Sequence, residues 1–188
     1  MTKLLISTLL GAAVLAGSSA RAEDYYAGLT ASKGGTLNYR NPLNGKTASD
    51  DASAVFKLYG GFALTENYAL EAGYLQGGKA RFDKAALGMA TEPTFKARNL
   101  YLAGRYTHRF NDDWSAFAKL GVVRNRYEGA GGGAGTVSST KPLLGVGMAY
   151  NVTREVALTL EYERMGRTRK QGVNVLQNAL QLGVKVGF

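Results

Sequence analysis

Residues 178–188, which read NALQLGVKVGF, decide the fold of this chain. Every second residue from Leu180 to Phe188 is apolar, and glutamine, glycine and lysine stand between them. Because successive side chains of a β-strand point to opposite faces, this segment predicts a strand with one apolar and one polar face. A transmembrane β-barrel needs that pattern in every strand, with apolar side chains toward lipid and polar side chains toward the lumen.

Seven earlier segments show the same alternation, which predicts eight strands together with the last one. Their approximate bounds are 25–33, 54–64, 68–77, 96–110, 114–126, 142–151 and 155–165. Aromatic residues gather toward both ends of these segments, which is typical of the two interfaces of a membrane.

The connections between the predicted strands alternate in length. Short connections are expected at 65–67, 111–113 and 152–154, and long ones at 34–53, 78–95, 127–141 and 166–177. Outer-membrane barrels show this alternation. The sequence therefore predicts an all-β fold, an eight-stranded antiparallel up-and-down transmembrane β-barrel with short periplasmic turns and long extracellular loops.

The polar faces of the predicted strands carry ionisable side chains of both signs. A soluble, lipocalin-like barrel would turn them to water, whereas a membrane barrel would turn them to its lumen. Because isolated buried charges are costly, a membrane barrel would pair them. The predicted lumenal ion pairs involve Lys57, Glu71, Arg105, Lys119, Glu161 and Lys185.

The N-terminal segment is typical of a secretory signal peptide. Lys3 supplies a positive charge, residues 4–16 are apolar, and Ala20 and Ala22 are the small residues that signal peptidase reads. We expect a signal peptide over residues 1–22 and a single barrel domain over residues 23–188. The apolar run is shorter than the roughly 20 residues that a membrane-spanning helix needs.

Three further motifs carry a resemblance to a known family. Residues 56–62 read FKLYGGF, residues 67–74 read NYALEAGY and residues 158–162 read LTLEY. Together with the last strand they resemble the OmpA-like outer-membrane β-barrel family over the whole chain after residue 22. The resemblance implies a small eight-stranded barrel in the outer membrane of a Gram-negative bacterium. We expect it without the periplasmic peptidoglycan-binding domain that follows the barrel in the family's namesake.

The resemblance also implies recognition by the outer-membrane assembly machinery. The assembly signal of such barrels is the terminal aromatic residue with the alternate residues before it. The corresponding residues here are Leu180, Leu182, Val184, Val186 and Phe188. Family barrels often hold lumenal pairs between carboxylates and basic groups, and Glu71 and Glu161 match such positions.

The chain offers little catalytic or metal-binding chemistry. Its only histidine, His108, is predicted to face lipid beside aromatic residues, with no serine on the same face. Cysteine is absent, and the acidic pairs at 50–51 and 112–113 are typical of turns. The glycine-rich run at 129–135 lacks the lysine of a phosphate loop and indicates a mobile surface loop. We therefore expect no enzymatic activity, no cofactor and no metal.

The chain is basic, with a formal net charge of +9. Part of the excess lies near the ends of the long loops, at Arg124, Arg126, Arg164, Arg167, Arg169 and Lys170. In the outer leaflet these side chains would meet lipopolysaccharide phosphates, which suit arginine. A rim that is simply solvated explains the same charges. Nucleic acid is not expected as a partner, because an exported barrel does not meet it.

Two functions are consistent with this reading. The first is a structural and interaction barrel that supports the cell envelope and displays basic loops toward lipopolysaccharide or host surfaces, as in adhesion. The second is a narrow, porin-like pore for small solutes. We favour the first, because eight strands leave an interior that side chains about fill. The expected partners are outer-membrane lipid, lipopolysaccharide and the assembly machinery; the sequence names no host ligand.

Overall fold

The chain folds into one closed, antiparallel β-barrel. The computed structural model describes residues 25–33, 36–40, 45–51, 54–81, 83, 85, 88, 90–91, 94–130, 135–170 and 173–188. The predicted signal peptide over residues 1–22 lies outside the described residues. The strands are β1 (Tyr25–Ser32), β2 (Thr36–Arg40), β3 (Thr47–Asp51), β4 (Val55–Ala63), β5 (Tyr68–Arg81), β6 (Thr94–Arg109), β7 (Trp114–Ala130), β8 (Thr136–Asn151), β9 (Val156–Lys170) and β10 (Val173–Gly187).

Eight of these strands form the barrel wall, in the order β1, β4, β5, β6, β7, β8, β9 and β10. Each pairs with its neighbour in antiparallel register, and β1 pairs with β10 to close the circle. The seam runs from Tyr26 opposite Gly187 to Ser32 opposite Gln181. This arrangement confirms the predicted eight-stranded up-and-down barrel.

Apolar side chains cover the outside of the barrel, and charged side chains lie inside it. Leu182 is 67% exposed and Leu120 is also 67% exposed, whereas Glu71 and Lys57 are fully buried. A soluble barrel would have the opposite arrangement. The soluble, lipocalin-like alternative is therefore wrong, and the outer surface suits hydrocarbon. Among the described residues, no helix has the length and apolar character needed to cross a membrane.

The three short turns lie at one end of the barrel, as predicted. In the turn after β6, the Asn111 side-chain oxygen accepts hydrogen bonds from the backbone N–H groups of Asp113 and Trp114, at 3.0 and 2.7 Å. The hydroxyls of Thr65 and Thr153 accept equivalent bonds in the other two turns. Short polar side chains that mimic the backbone in this way stabilise tight turns.

Outward-facing aromatic rings form a belt near these turns. The rings of Trp114 and Tyr150 lie 4.9 Å apart between centroids, and those of Tyr68 and Tyr106 lie 5.2 Å apart. Each pair joins residues directly opposite each other on neighbouring strands. Amphipathic rings favour the headgroup level, so this belt marks the periplasmic interface.

At the other end the strands are longer than the sequence indicated. The predicted loops at 127–141 and 166–177 are wrong over most of their length, because β7, β8, β9 and β10 continue through them. Only residues 131–135 separate β7 from β8, and only residues 171–172 separate β9 from β10. The predicted mobile loop at 129–135 falls largely on residues outside the described part.

The first long connection contains strands that the sequence did not predict. β2 and β3 form an antiparallel hairpin, with Thr36 opposite Asp51 and Arg40 opposite Thr47. The hairpin adds to the sheet beside β10, where Val173 pairs with Tyr39. The barrel wall is therefore taller on this side than the membrane-spanning part requires.

Candidate functional site

A network of buried ion pairs crosses the middle of the lumen. Its first half centres on Glu71 of β5. The Lys119 ammonium lies 2.6 Å from one carboxylate oxygen, and Arg105 Nη1 lies 3.3 Å from the other. The hydroxyls of Tyr101 and Tyr26 donate further hydrogen bonds to Glu71, at 2.5 and 3.0 Å. Glu71 therefore receives donors from four side chains.

The second half of the network joins β4, β7, β9 and β10. Lys57 Nζ lies 2.8 Å from a Glu161 oxygen and 2.9 Å from a Glu163 oxygen. Lys119 Nζ lies 2.6 Å from the other oxygen of Glu161, which connects the two halves. Gln181 of β10 donates to Glu163 at 2.6 Å.

The charges of this network balance. Lys57, Arg105 and Lys119 face Glu71, Glu161 and Glu163, and each of these side chains is at most 3% exposed. Burying a charge is costly unless it is paired and hydrogen-bonded. The pairing of three cations with three carboxylates thus allows the lumen to hold charge without solvent.

Glycines opposite aromatic residues make room for this network. Tyr59 lies across from Gly28, and Tyr101 lies across from Gly73. A Cβ added at either glycine would overlap the ring. The two tyrosine rings therefore lie flat along the wall, with Lys57 Nζ 5.3 and 5.8 Å from their centroids.

An apolar layer lies above the ion pairs, toward the long-loop end. On β5, β7 and β9 it is formed by side chains that follow the network residues on the same lumenal face, and β8 adds Leu143. Leu75, Val123, Leu143 and Met165 are each at most 2% exposed. From the short turns toward the long loops, the lumen is thus filled first by ion pairs and then by a mainly apolar layer, which also contains the buried Asn99 opposite Leu75.

Five of the six predicted lumenal residues lie in this network. The expected pairing of Lys185 is wrong, because none of the described carboxylates has an oxygen within 4.0 Å of Lys185 Nζ. Lys185 lies nearer the short turns than the network, opposite Ala157. Sequence reasoning missed Glu163, although it stands two residues after Glu161 and so shares its face.

The described part of the basic rim lies on the outer face of the barrel. Arg124, Arg126 and Arg164 are exposed. Arg126 Nε lies 3.1 Å from Glu128, and Arg98 Nη1 lies 3.3 Å from the same carboxylate. Arg98 was not among the predicted rim residues.

The remaining rim residues, Arg167, Arg169 and Lys170, lie on β9, and their side chains are outside the described residues. The predicted single patch is not compact in the described part, because β8 separates Arg124 from Arg164. Arg124 lies opposite Thr140, and Arg164 lies opposite Leu144.

The other residues singled out from the sequence lie on the outside. His108 is exposed, and its ring lies 5.2 Å from that of Phe110. The alternate apolar residues of β10 face outward, with Leu180 61% exposed and Val184 38% exposed. Val186 and Phe188 are half-buried at the seam with β1.

Comparison with known proteins agrees with this architecture. The family model described as the OmpA-like transmembrane domain matches residues 20–188. Outer membrane protein A of Klebsiella pneumoniae is 26% identical over 155 residues, which are 77% of this chain and 43% of that protein. The chain therefore spans less than half the length of that curated relative.

Solved structures share the fold at low sequence identity. The Neisserial surface protein A, NspA, is 18% identical, with a TM-score of 0.59 over 91% of this chain and 100% of that chain. Ail, the attachment invasion locus protein of Yersinia pestis, is 15% identical, with a TM-score of 0.55 over 88% and 99%. A second Ail structure contains the heparin analogue sucrose octasulfate, with 16% identity and a TM-score of 0.53 over 88% and 99%.

Proposed function

This chain belongs to the OmpA-like transmembrane domain family and lies in the Gram-negative outer membrane; on that premise, we propose that it is a structural and interaction barrel. In this proposal the closed wall supports the envelope, and outward-facing arginines bind lipopolysaccharide phosphates. The observation that carries it is the position of Arg124 and Arg164, which are exposed on the lipid-facing side at the long-loop edge of the apolar band.

The chemistry of these two arginines favours an anionic lipid partner. Among the described residues, neither has a carboxylate oxygen within 4.0 Å, in contrast to Arg126. Each arginine borders the apolar band. Val122 lies two residues before Arg124 on the same face, and Leu144 lies opposite Arg164 on the neighbouring strand. A guanidinium at that level meets the phosphates of the outer leaflet and binds them in fork geometry.

Lipopolysaccharide binding by variant barrels tests the proposal. Replacing Arg124 and Arg164 with glutamine should weaken association with lipopolysaccharide most at low ionic strength, because salt screens exposed contacts. The matched control is Arg154→Gln, which removes an exposed cation from a short turn at the opposite end. Equal binding by the double variant and the parent at low salt would contradict the lipopolysaccharide contact.

The envelope role needs a test in cells. A strain that lacks the protein should lose resistance to detergents and large antibiotics relative to its parent. Complementation with the parent chain should restore it, and complementation with the arginine variant should restore it only in part. A deletion strain with unchanged envelope resistance would contradict the structural role.

A host-surface polyanion is a second candidate partner for the same cations. Ail has been crystallised with a sulfated heparin analogue, and its barrel has the same fold. Sulfate groups bind arginine through the same fork geometry as phosphates. Retention on immobilised heparin, compared between the parent and the arginine double variant, distinguishes this partner from lipopolysaccharide.

The narrow-pore alternative has less support. Ion pairs and an apolar layer fill the lumen at successive levels, and residues such as Glu71 and Val123 have no exposed surface. An open path for solutes would need both layers to rearrange.

A further inference from the structure

The short-turn mouth of the barrel opens into a cavity of about 720 Å³. Arg105 and Lys185 line its inner part, and the three turns form its edge. The ion-pair network and the apolar layer close the lumen above it. We call this blind cavity, bounded by Arg105, Arg109, Ser115 and Lys185, the short-turn vestibule.

The inner part of the vestibule has an excess of positive charge. Arg105 is matched by Glu71 within the balanced network. Lys185, which is half-buried, adds a further cation there, and the exposed Arg109 adds another nearer the edge. None of the described carboxylates lies within 4.0 Å of either. The charged groups that act on Lys185 are Arg105, Arg109 and, more weakly, Glu71.

Two of these cations lie near the ring of Tyr26. The Arg105 guanidinium carbon and Lys185 Nζ each lie 5.5 Å from the centroid of the Tyr26 ring. β6 and β10 stand on opposite sides of the barrel, so the two side chains approach from facing walls. Like charges confined in this way repel each other, and a bound anion would relieve the repulsion.

The acidic residues of the vestibule lie at its edge. Glu66, Asp112 and Glu155 are in the three short turns and are exposed. Solvent screens charges at the edge more than those in the enclosed inner part. The field inside the vestibule is therefore positive, although the charges around the mouth are mixed.

Hydroxyl groups are available beside the cations. The Thr107 oxygen accepts a hydrogen bond from Arg105 Nε at 3.3 Å, which leaves its own proton free to donate. Ser115 is 8% exposed and lies opposite Arg109. Cations with adjacent hydroxyl donors form the usual surroundings of a bound oxyanion.

We propose that the short-turn vestibule binds an oxyanion group, a phosphate or a carboxylate, of a soluble periplasmic compound. Arg109 and Lys185 supply the charge, and the hydroxyls of Thr107 and Ser115 donate hydrogen bonds. The volume admits an anion with a small organic group attached. This site is independent of the proposed lipopolysaccharide contact, which lies at the other end and on the outside.

Nuclear magnetic resonance of the refolded barrel in nanodiscs tests the site. Inorganic phosphate and acetate are titrated separately at constant ionic strength, with chloride as the replaced ion. Backbone amides of Ser115, Ala157 and Gly187 should shift and saturate, whereas Gly135 at the outer end should not move. The phosphate and acetate arms show which oxyanion is preferred.

Three variants supply the contrast. Replacing Lys185 and Arg109 with glutamine should weaken binding by about tenfold or more, because charge-assisted hydrogen bonds are lost. Arg126→Gln, on the outer face, should bind as the parent does. Lys185→Met removes the charge of Lys185 but keeps its aliphatic stem, so it separates the loss of charge from the loss of packing. Heat-modified migration on gels verifies that each variant folds. Amide shifts that chloride reproduces, or equal affinity of the double variant and the parent, would overturn the proposal.

Discussion

At the scale of single residues, Glu71 is the side chain on which the lumen depends most. It accepts bonds from Lys119, Arg105, Tyr101 and Tyr26, which come from three different strands, β1, β6 and β7. Each of these strands is thereby attached to the same carboxylate. Removal of one member of the network would leave the other charges buried and uncompensated, and this is why each member matters for stability.

Replacing Glu71 with glutamine should lower the free energy of unfolding by roughly 3–5 kcal/mol, the usual cost of breaking a buried ion pair. The amide keeps the size of the side chain but leaves Arg105 and Lys119 with one carboxylate fewer. Urea unfolding in lipid vesicles measures the change. Glu128→Gln is the matched control, because Glu128 pairs with arginines at the surface and should cost less than about 1 kcal/mol. Similar losses in both variants would refute the special role of Glu71.

At the scale of strands, the sequence predicts correctly which side chains face the lumen, but it does not predict their positions along the barrel axis. Period-two alternation placed Lys57, Glu71 and Glu161 inside the barrel, where the structure has them. Alternation does not state how far along the barrel axis a side chain lies. Lys185 has the correct face for pairing, but it stands closer to the short turns than the carboxylates do.

Strand ends on the loop side were missed for a physical reason. Beyond the hydrocarbon both faces of a strand are polar, so the alternating signal disappears while backbone pairing continues. Residues 136–141 read TVSSTK, yet Thr136 still pairs with Glu128 and Lys141 with Val123. The hairpin of β2 and β3 was missed in the same way.

The cross-strand pairing of glycine with tyrosine should be sensitive to a single methyl group. Gly73→Ala should destabilise the barrel by roughly 1–3 kcal/mol, because the new Cβ overlaps the Tyr101 ring and forces it to move. Gly60→Ala is the control, since Gly60 faces outward and its nearest neighbour would be 3.6 Å from the new atom. Unfolding midpoints measured in the same detergent compare the two. An equal shift in both would mean that strand propensity, and not the ring contact, decides the effect.

The last strand should matter for assembly more than for packing. Deleting Phe188 removes two backbone bonds to Tyr25, of 2.9 and 3.3 Å, and the terminal aromatic residue. We expect lower outer-membrane levels in cells and nearly intact refolding in detergent. Phe110→Ala is the control, because Phe110 is an exposed aromatic residue of the same belt away from the last strand. Normal membrane levels without Phe188 would rule out the assembly role.

At the scale of the whole molecule, the ion pairs and the apolar layer close the barrel across its axis, and the short-turn end opens into the vestibule. We expect the parent protein to show no steady conductance in planar bilayers, because two filled layers obstruct the lumen. An unrelated porin in the same bilayer verifies the detection limit. Regular single-channel steps from the purified parent would revive the pore function.

The orientation of the molecule in lipid gives a further prediction. Trp114 is the chain's only tryptophan and lies in the belt near the short turns, 43% exposed. Its fluorescence should be quenched most by lipids brominated near the headgroup and least by lipids brominated at the chain ends. Strongest quenching at the bilayer centre would contradict the position assigned to the belt.

The pairing of β1 with β10 has a consequence for biogenesis. β1 is synthesised first, yet one of its edges finds a partner only when the final segment of the chain arrives, about 150 residues later, as the pair Ser32 and Gln181 shows. Until then both terminal strands present unsatisfied amide and carbonyl groups, which invite pairing with other chains. Each copy must therefore keep these two strand edges from pairing with other chains until β1 and β10 meet.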